Sequence, residues 1–269
     1  MKTILVPLDY SENSLNALEY AAHLADDLKA KIVLLHIFEL PVSSTEMPVI
    51  TVTPGELEEI HNSKMKEIAD KIHQQHTIEI KWECIPGYSV EEIIRKIKSI
   101  DADLTVMGIR GVNLISELLI GSVATGVARN AEHAVLIIPE NAKFNAPKKI
   151  LFASDNLAVA NNKTFNILHT IANQYQSEIA IVNVSNNTKN EIKLMDFSRH
   201  LKEIKFNHHI ITGDDISSAI NDFNNTFHAD ILVNIPRQHS FFDKITHESN
   251  TKKFAFHTPI PLLTLPSFE

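Results

Sequence analysis

The sequence predicts an α/β protein made of two copies of one unit, each an open five-stranded parallel sheet flanked by helices. Three observations carry that expectation. Short β-branched apolar runs alternate with stretches whose apolar residues recur at helical spacing, the pattern of parallel βαβ units. The pattern restarts after Pro147 with the same order of strand-like runs, which marks an internal repeat. Four of the 7 glycines (Gly108, Gly111, Gly121 and Gly126) fall in one strand-to-helix stretch. Glycine that scarce marks backbone that turns with positive φ or approaches a ligand closely.

Taken in order, Thr3–Leu8 reads as a buried strand followed by Asp9-Tyr10-Ser11. Leu15, Leu18, Ala21, Ala22, Ala25 and Leu28 then form a helical stripe. Ile32–Phe38 is a second strand, and Glu39 to Val52, with Pro41 and Pro48, reads as a mobile flap near the site. Thr53-Pro54-Gly55-Glu56 is a capping box with proline at the first helical position. The helix it opens carries its stripe on Leu57, Ile60, Met65, Ile68 and Ile72. Ile78–Ile85 is a third strand, with Trp82 and Cys84 on one side by period two. Ser89 and Glu92 are expected to cap a third helix. Ala102–Met107 is the fourth strand, Gly121-Ser122 opens a helix over Val123–Ala131, and Ala134–Ile138 is a fifth strand stopped by Pro139.

A strand, a glycine turn and Gly-Ser at a helix start are the parts of a phosphate site. Free N–H groups and the positive end of the helix dipole converge there. Asp9, Ile37 and Gly108 lie just past strand ends, where open parallel sheets bind ligands.

Glu140–Pro147 is a polar linker, dividing the chain into residues 1–140, 141–147 and 148–269. Beyond it Ile150–Asp155 echoes Ile4–Asp9, Ile179–Val184 echoes the second strand, and Gly213–Ile220 echoes Gly87–Ile94. Ala229-Asp230-Ile231-Leu232-Val233 echoes Ala102-Asp103-Leu104-Thr105-Val106, and Leu262–Pro266 echoes Val135–Pro139. The glycine loop has no counterpart. The second copy reads Asn234-Ile235-Pro236-Arg237-Gln238-His239-Ser240, then Thr246-His247-Glu248-Ser249 with a carboxylate where phosphate would sit.

The spacing Gly108, Gly111, Gly121, Ser122, with Val123 following, resembles the nucleotide-binding signature of the universal stress protein family. Thr3–Ser11 resembles that family's opening strand with its Asp, and Lys31–Ile37 its second strand ending in His36-Ile37. The likeness covers residues 1–140 well and the rest weakly. It implies a tandem protein of two Rossmann-like (adenine nucleotide alpha hydrolase-like) domains, of which only the first keeps its nucleotide motif. It further implies ATP, alone or with Mg2+, as the ligand. Asp9 would accept from a ribose hydroxyl; capping of the first helix, a common role of Asp, is the alternative, and the two are compatible. Pro7, Leu8, Ile37 and Met107 would border the adenine; ordinary core packing is the alternative, and the favoured one for Ile37 taken alone. Gly108, Gly111, Gly121, Ser122 and Val123 would surround the phosphates, and Arg110 either meets phosphate or points to water. Ala124-Thr125 departs from the family's common Gly-Ser-Val-Thr-Glu. In the family, two subunits pair through their final strands, so Val135–Ile138 and Leu262–Leu265 are expected to lie antiparallel in an intramolecular pseudo-dimer, with further homo-oligomers open.

A net charge of -8 and a pI near 5.9 argue against a nucleic-acid partner. Apolar runs are too short for a membrane span, Asp9 interrupts the opening one, and cytoplasm is the default location. Cys84 is the only cysteine, which excludes an internal disulfide, and inside a strand it reads as an inert thiol. The 14 histidines include His208-His209, but neighbours in a strand face opposite ways, so no metal site is expected. Neither a Walker lysine nor a locatable catalytic triad is present. The expected function is ATP-binding regulation in a stress response, with no catalytic residue assigned. A nucleotide-free interaction scaffold and a weak ATPase are the alternatives.

Overall fold

The computed structural model describes residues 1–40, 53–109, 122–154, 162–185, 201, 203–213, 216–235 and 260–266. The expected flap at 39–52 and the loop 110–121 therefore lie almost wholly outside the described residues, as does Asp155.

The first half runs β1 (Thr3–Pro7), α1 (Glu12–Leu28), β2 (Lys31–Phe38), α2 (Pro54–His73), β3 (Ile80–Pro86), α3 (Ser89–Ile100), β4 (Leu104–Ile109), α4 (Ser122–Asn130) and β5 (Val135–Pro139). The second runs β6 (Lys149–Ala153), a 3-10 turn over Asn162–Phe165, α5 (Asn166–Tyr175), β7 (Glu178–Ser185), β8 (Lys205–Thr212), α6 (Ile216–Phe227), β9 (Ile231–Asn234) and β10 (Leu262–Thr264). All the described strands join one 10-stranded sheet in the order β3-β2-β1-β4-β5-β10-β9-β6-β7-β8. Every neighbouring pair is parallel except β5 and β10, which run antiparallel with Leu263 opposite Leu136. The two halves thus repeat one strand order outward from a central antiparallel seam. The Thr264 hydroxyl donates across that seam to the Val135 carbonyl at 3.1 Å.

Alternation along each strand builds two cores. Ile4, Val6, Ile32 and Leu34 pack with α1 and α2 on one face, and Ile150, Phe152, Ile179 and Ile181 continue that layer under α5. Leu5, Val33, Leu35, Met107 and Val135 pack with α3 and α4 on the other, continued by Leu151, Val182 and Leu232 under α6. Period two makes these layers inevitable once both sheet faces are covered.

The repeat extends to side chains. The Asp103 carboxylate accepts from the amides of Lys2 and Thr3 at 2.7 and 2.9 Å, fixing the start of β1 beside β4. Asp230, its echo, accepts from the amide of Lys149 at 2.9 Å and fixes the start of β6 beside β9 in the same way.

Local chemistry explains most element boundaries and corrects some expectations. Thr53 and Glu56 form the expected capping box, the Thr53 hydroxyl accepting from the Glu56 amide and the Glu56 carboxylate from the Thr53 amide. Ser89 does not cap α3: it is the first helical residue, Tyr88 holds the cap position, and no side chain satisfies the first turn. Ile60 is off the buried stripe of α2, at 58% exposure, and Leu15 is off that of α1 at 38%. Three residues of α2 that do face the core are Met65, Ile68 and Ile72. Cys84 is buried, and that burial pushes its thiol up to about 11, consistent with an inert core position. His208 packs near Phe206 and His209 near Phe223, residues of opposite core layers, so the two imidazoles do face apart.

Among the described residues no helix is long and apolar enough to cross a membrane.

Candidate functional site

Strand order reverses between β1 and β4: the chain winds outward from β1 through β2 to β3, then returns to the other side of β1. At the carboxyl ends of these strands lies a cavity of about 260 Å³. This is the switch point where open parallel sheets take ligands. Its apolar wall is Pro7, Leu8, Leu35, Ile37, Ile93 and Met107. Asp9, Ser11, Asn13 and Ser14 border it from the start of α1, Ser89 from α3, Gly108 from β4, and Val123 and Ala124 from the amino end of α4. The partial positive charge of the α4 dipole therefore adjoins the cavity.

Seven of the residues expected from the sequence meet here: Pro7, Leu8, Asp9, Ile37, Met107, Gly108 and Val123. Ile37 is half-buried, packed against the α3–α4 core layer while also lining the cavity. Ser122 is the first residue of α4. Arg110, Gly111 and Gly121 lie outside the described residues.

The α1 start is built around Asp9 and Ser11. Ser11, not Asp9, is the N-cap, its hydroxyl accepting from the Ser14 amide at 3.2 Å. Asp9 Oδ1 in turn accepts from the Ser11 amide at 3.0 Å and the Ser11 hydroxyl at 2.5 Å. Partial burial works to raise the Asp9 pKa, but the hydrogen bonds from Ser11 and Ser14 outweigh it and hold the carboxyl below its ordinary value. Asp9 is thus an exposed, ionised acceptor on the cavity rim.

His36 positions the chain just before it. Its Nδ1–H donates to the Leu8 carbonyl at 2.8 Å, and the Leu8 amide donates to the Leu35 carbonyl at 2.8 Å. Burial keeps the His36 imidazole neutral by lowering its pKa, against the opposing pull of the Leu8 carbonyl. Leu8 is clamped from two sides, and Asp9 follows directly from that fixed point. The second half keeps the clamp with other residues. Registers pairing Thr3 with Lys31 and Lys149 with Glu178 place Asn183 where His36 stands and Ser154 where Leu8 stands. Asn183 Nδ2 donates to the Ser154 carbonyl at 2.6 Å, and the Ser154 amide donates to Val182 at 2.9 Å.

Sequence reasoning missed Ser11, Asn13, Ser14, Leu35, Ser89, Ile93 and Ala124. Ser11 carries a visible cap signal before the apolar stripe of α1. Asn13 carries none; its place on the rim follows from how closely α1 crosses β4.

A doubly wound parallel sheet with a cavity at its switch point is the architecture of Rossmann-like ligand-binding proteins. The sequence model of the universal stress protein family matches residues 1–139, just over half of the 269-residue chain, and the chain belongs to that family. It is 30% identical over 148 residues to universal stress protein YxiE of Bacillus subtilis, an alignment covering 50% of this chain and 97% of that one. A universal stress protein structure from Archaeoglobus fulgidus shares the fold over nearly the whole length, with TM-score 0.77, 22% identity, and 99% and 98% of the two chains covered. Another universal stress protein, 24% identical over 51% of this chain and 96% of its own with TM-score 0.41, was solved in complex with cAMP.

Proposed function

We propose that this chain binds one adenine nucleotide, ATP, at the switch-point cavity of its first half and acts as a cytoplasmic regulatory protein of a stress response. The observation that carries the reading is the meeting of Asp9, the apolar wall of Leu8, Ile37 and Met107, and the amino end of α4 around one cavity. Its volume of about 260 Å³ suits the nucleoside, with the phosphates extending toward residues 108–122. The adenine would lie against the apolar wall. A ribose hydroxyl would donate to the Asp9 carboxylate, which is ionised and fixed by Ser11. The phosphates would take the amides of the Gly108–Gly121 loop and of the first turn of α4. Asp9 is the only carboxylate lining the cavity among the described residues, so Mg2+ would ride on the phosphates. No general base is assigned, and hydrolysis is slow or absent.

The second half, residues 148–269 beyond the linker 141–147, is a partner domain without a nucleotide loop. Its antiparallel β5–β10 seam would reproduce within one chain the pairing of two subunits. Calorimetry with ATP on the full chain tests the reading directly. One site per chain is expected, and Gly121→Glu should abolish it by filling phosphate space and placing a negative charge at the helix start. Two equivalent sites, or unchanged affinity in a folded Gly121→Glu variant, would overturn it.

A further inference from the structure

On the α1–α2 side of the sheet, where α1 passes the turn between α2 and β3, three metal-ligating side chains converge. Glu19 and His23 stand four residues apart on α1, so helical spacing sets them on one face. His76 reaches them from the turn, its side chain only 3% exposed. Glu19 Oε1 lies 3.4 Å from His76 Nε2 and 3.6 Å from His23 Nε2, and all three ligand atoms lie within 4.8 Å of one another. With metal–ligand bonds of ~2.0–2.1 Å, the edge of a ligand tetrahedron is ~3.3 Å. Two of the three edges are therefore already close to the metal-bound length.

The surroundings fix the two imidazoles. His76 Nδ1–H donates to Asp26 Oδ2 at 2.6 Å, and Asp26 Oδ1 accepts from the Thr77 amide at 3.2 Å. This leaves His76 Nε2 turned to Glu19. A carboxylate behind the far nitrogen of a histidine is the usual support of a metal-bound imidazole. The His23 ring stacks on Phe144 at 5.0 Å with planes 13° apart, and meets His76 edge-on at 4.7 Å. An ordinary buried ion pair of His76 with Asp26 and Glu19 has no need of His23, yet His23 is held against the same carboxylate oxygen.

We propose that Glu19, His23 and His76 bind a divalent transition-metal ion of the Zn2+ class, leaving a fourth position for water. Two neutral imidazoles and one carboxylate suit Zn2+, Co2+ and Ni2+ rather than Ca2+ or Mg2+. The ion ties α1 to the turn that feeds β3, the outermost strand of the first half, across 57 residues of sequence. The site is separate from the switch-point cavity and independent of nucleotide.

Cobalt titration of the full chain, followed by visible absorption, tests this. The expected result is one Co2+ per chain with the intense ligand-field bands of a four-coordinate ion, bleached by Zn2+. His23→Gln, an exposed change on α1, should weaken Co2+ and Zn2+ binding at least tenfold, as should Glu19→Gln. Asp26→Asn keeps every ligand and should weaken binding about tenfold to a hundredfold. Weak six-coordinate bands in the native protein would overturn the site, and so would identical titrations of the native chain and the folded Glu19→Gln/His23→Gln double variant.

Discussion

Gly108 and Asn13 are in backbone contact: a Cβ built on Gly108 would stand 2.2 Å from the Asn13 carbonyl oxygen and 2.5 Å from its carbon. The first turn of α1 crosses β4 so closely that only hydrogen fits between them. Glycine at 108 is thus required by packing, and the same contact brings Asn13 and Ser14 to the cavity rim.

Gly108→Ala should therefore displace the start of α1. The expected cost is about 3 kcal/mol, read as a shift of the urea midpoint, because the obstacle is backbone and has no rotamer to yield. Nucleotide affinity should fall with it, since Asp9 and Ser11 move with that turn. A midpoint within about 0.5 kcal/mol of native would show that α1 shifts freely.

Asp9→Asn should weaken ATP binding by about 1.5–3 kcal/mol, the worth of a hydrogen bond to a charged group. Calorimetry with 2′,3′-dideoxy-ATP makes the test specific. The native chain should prefer ATP to the dideoxy analogue, and the variant should not discriminate. The Asp9 carboxyl lies below its ordinary value, so affinity should hold down to about pH 5 and fail only as pH falls through that lowered pKa. Equal preference in the native chain would remove Asp9 from the ribose.

His133, just before β5, gives a pH signature to folding. Burial lowers its imidazole from 6.5 to about 4, only partly offset by attraction to Asp103 and Asp101. Between those values the unfolded chain takes up a proton that the folded chain refuses. Stability is therefore full above about pH 6.5 and lost as pH falls toward about 4. From pH 7 to pH 5 the native chain should lose up to about 2 kcal/mol more than His133→Gln, measured by urea unfolding of both. Parallel pH profiles would contradict this.

A fragment ending at residue 140 should self-associate, because it exposes β5 as an apolar edge that β10 covers in the whole chain. Sedimentation of the fragment against the full chain reads the difference. A well-behaved monomer would show that covering this edge is not what the second half does.

Much of this was legible because alternation and repeat are written in short range. The strand runs, the internal repeat and half of the cavity residues follow from apolar runs and from residues just past their ends. Boundaries were less legible where side chains capture backbone. Ala102 and Asp103 look like strand but end the preceding turn: the Ala102 amide donates to Ile97 at 3.1 Å and Asp103 holds the start of β1, so β4 begins at Leu104. Helix capping is the simpler alternative role for Asp9 in the sequence, yet the cap is Ser11, two residues on. The Glu19–His23–His76 cluster was hidden for a simpler reason. Its first two members are an unremarkable helical pair, and the third is distant in sequence, brought in only where the turn before β3 meets α1.

The central seam joins strands of one polypeptide, so its two sides meet at a local concentration set by the chain and not by the solution. Dilution cannot part them, and scarcity of the protein cannot leave one half alone. Two separate subunits would also exchange partners, mixing like with like. Here each half always faces the other kind, in a ratio fixed at one to one however much protein is present.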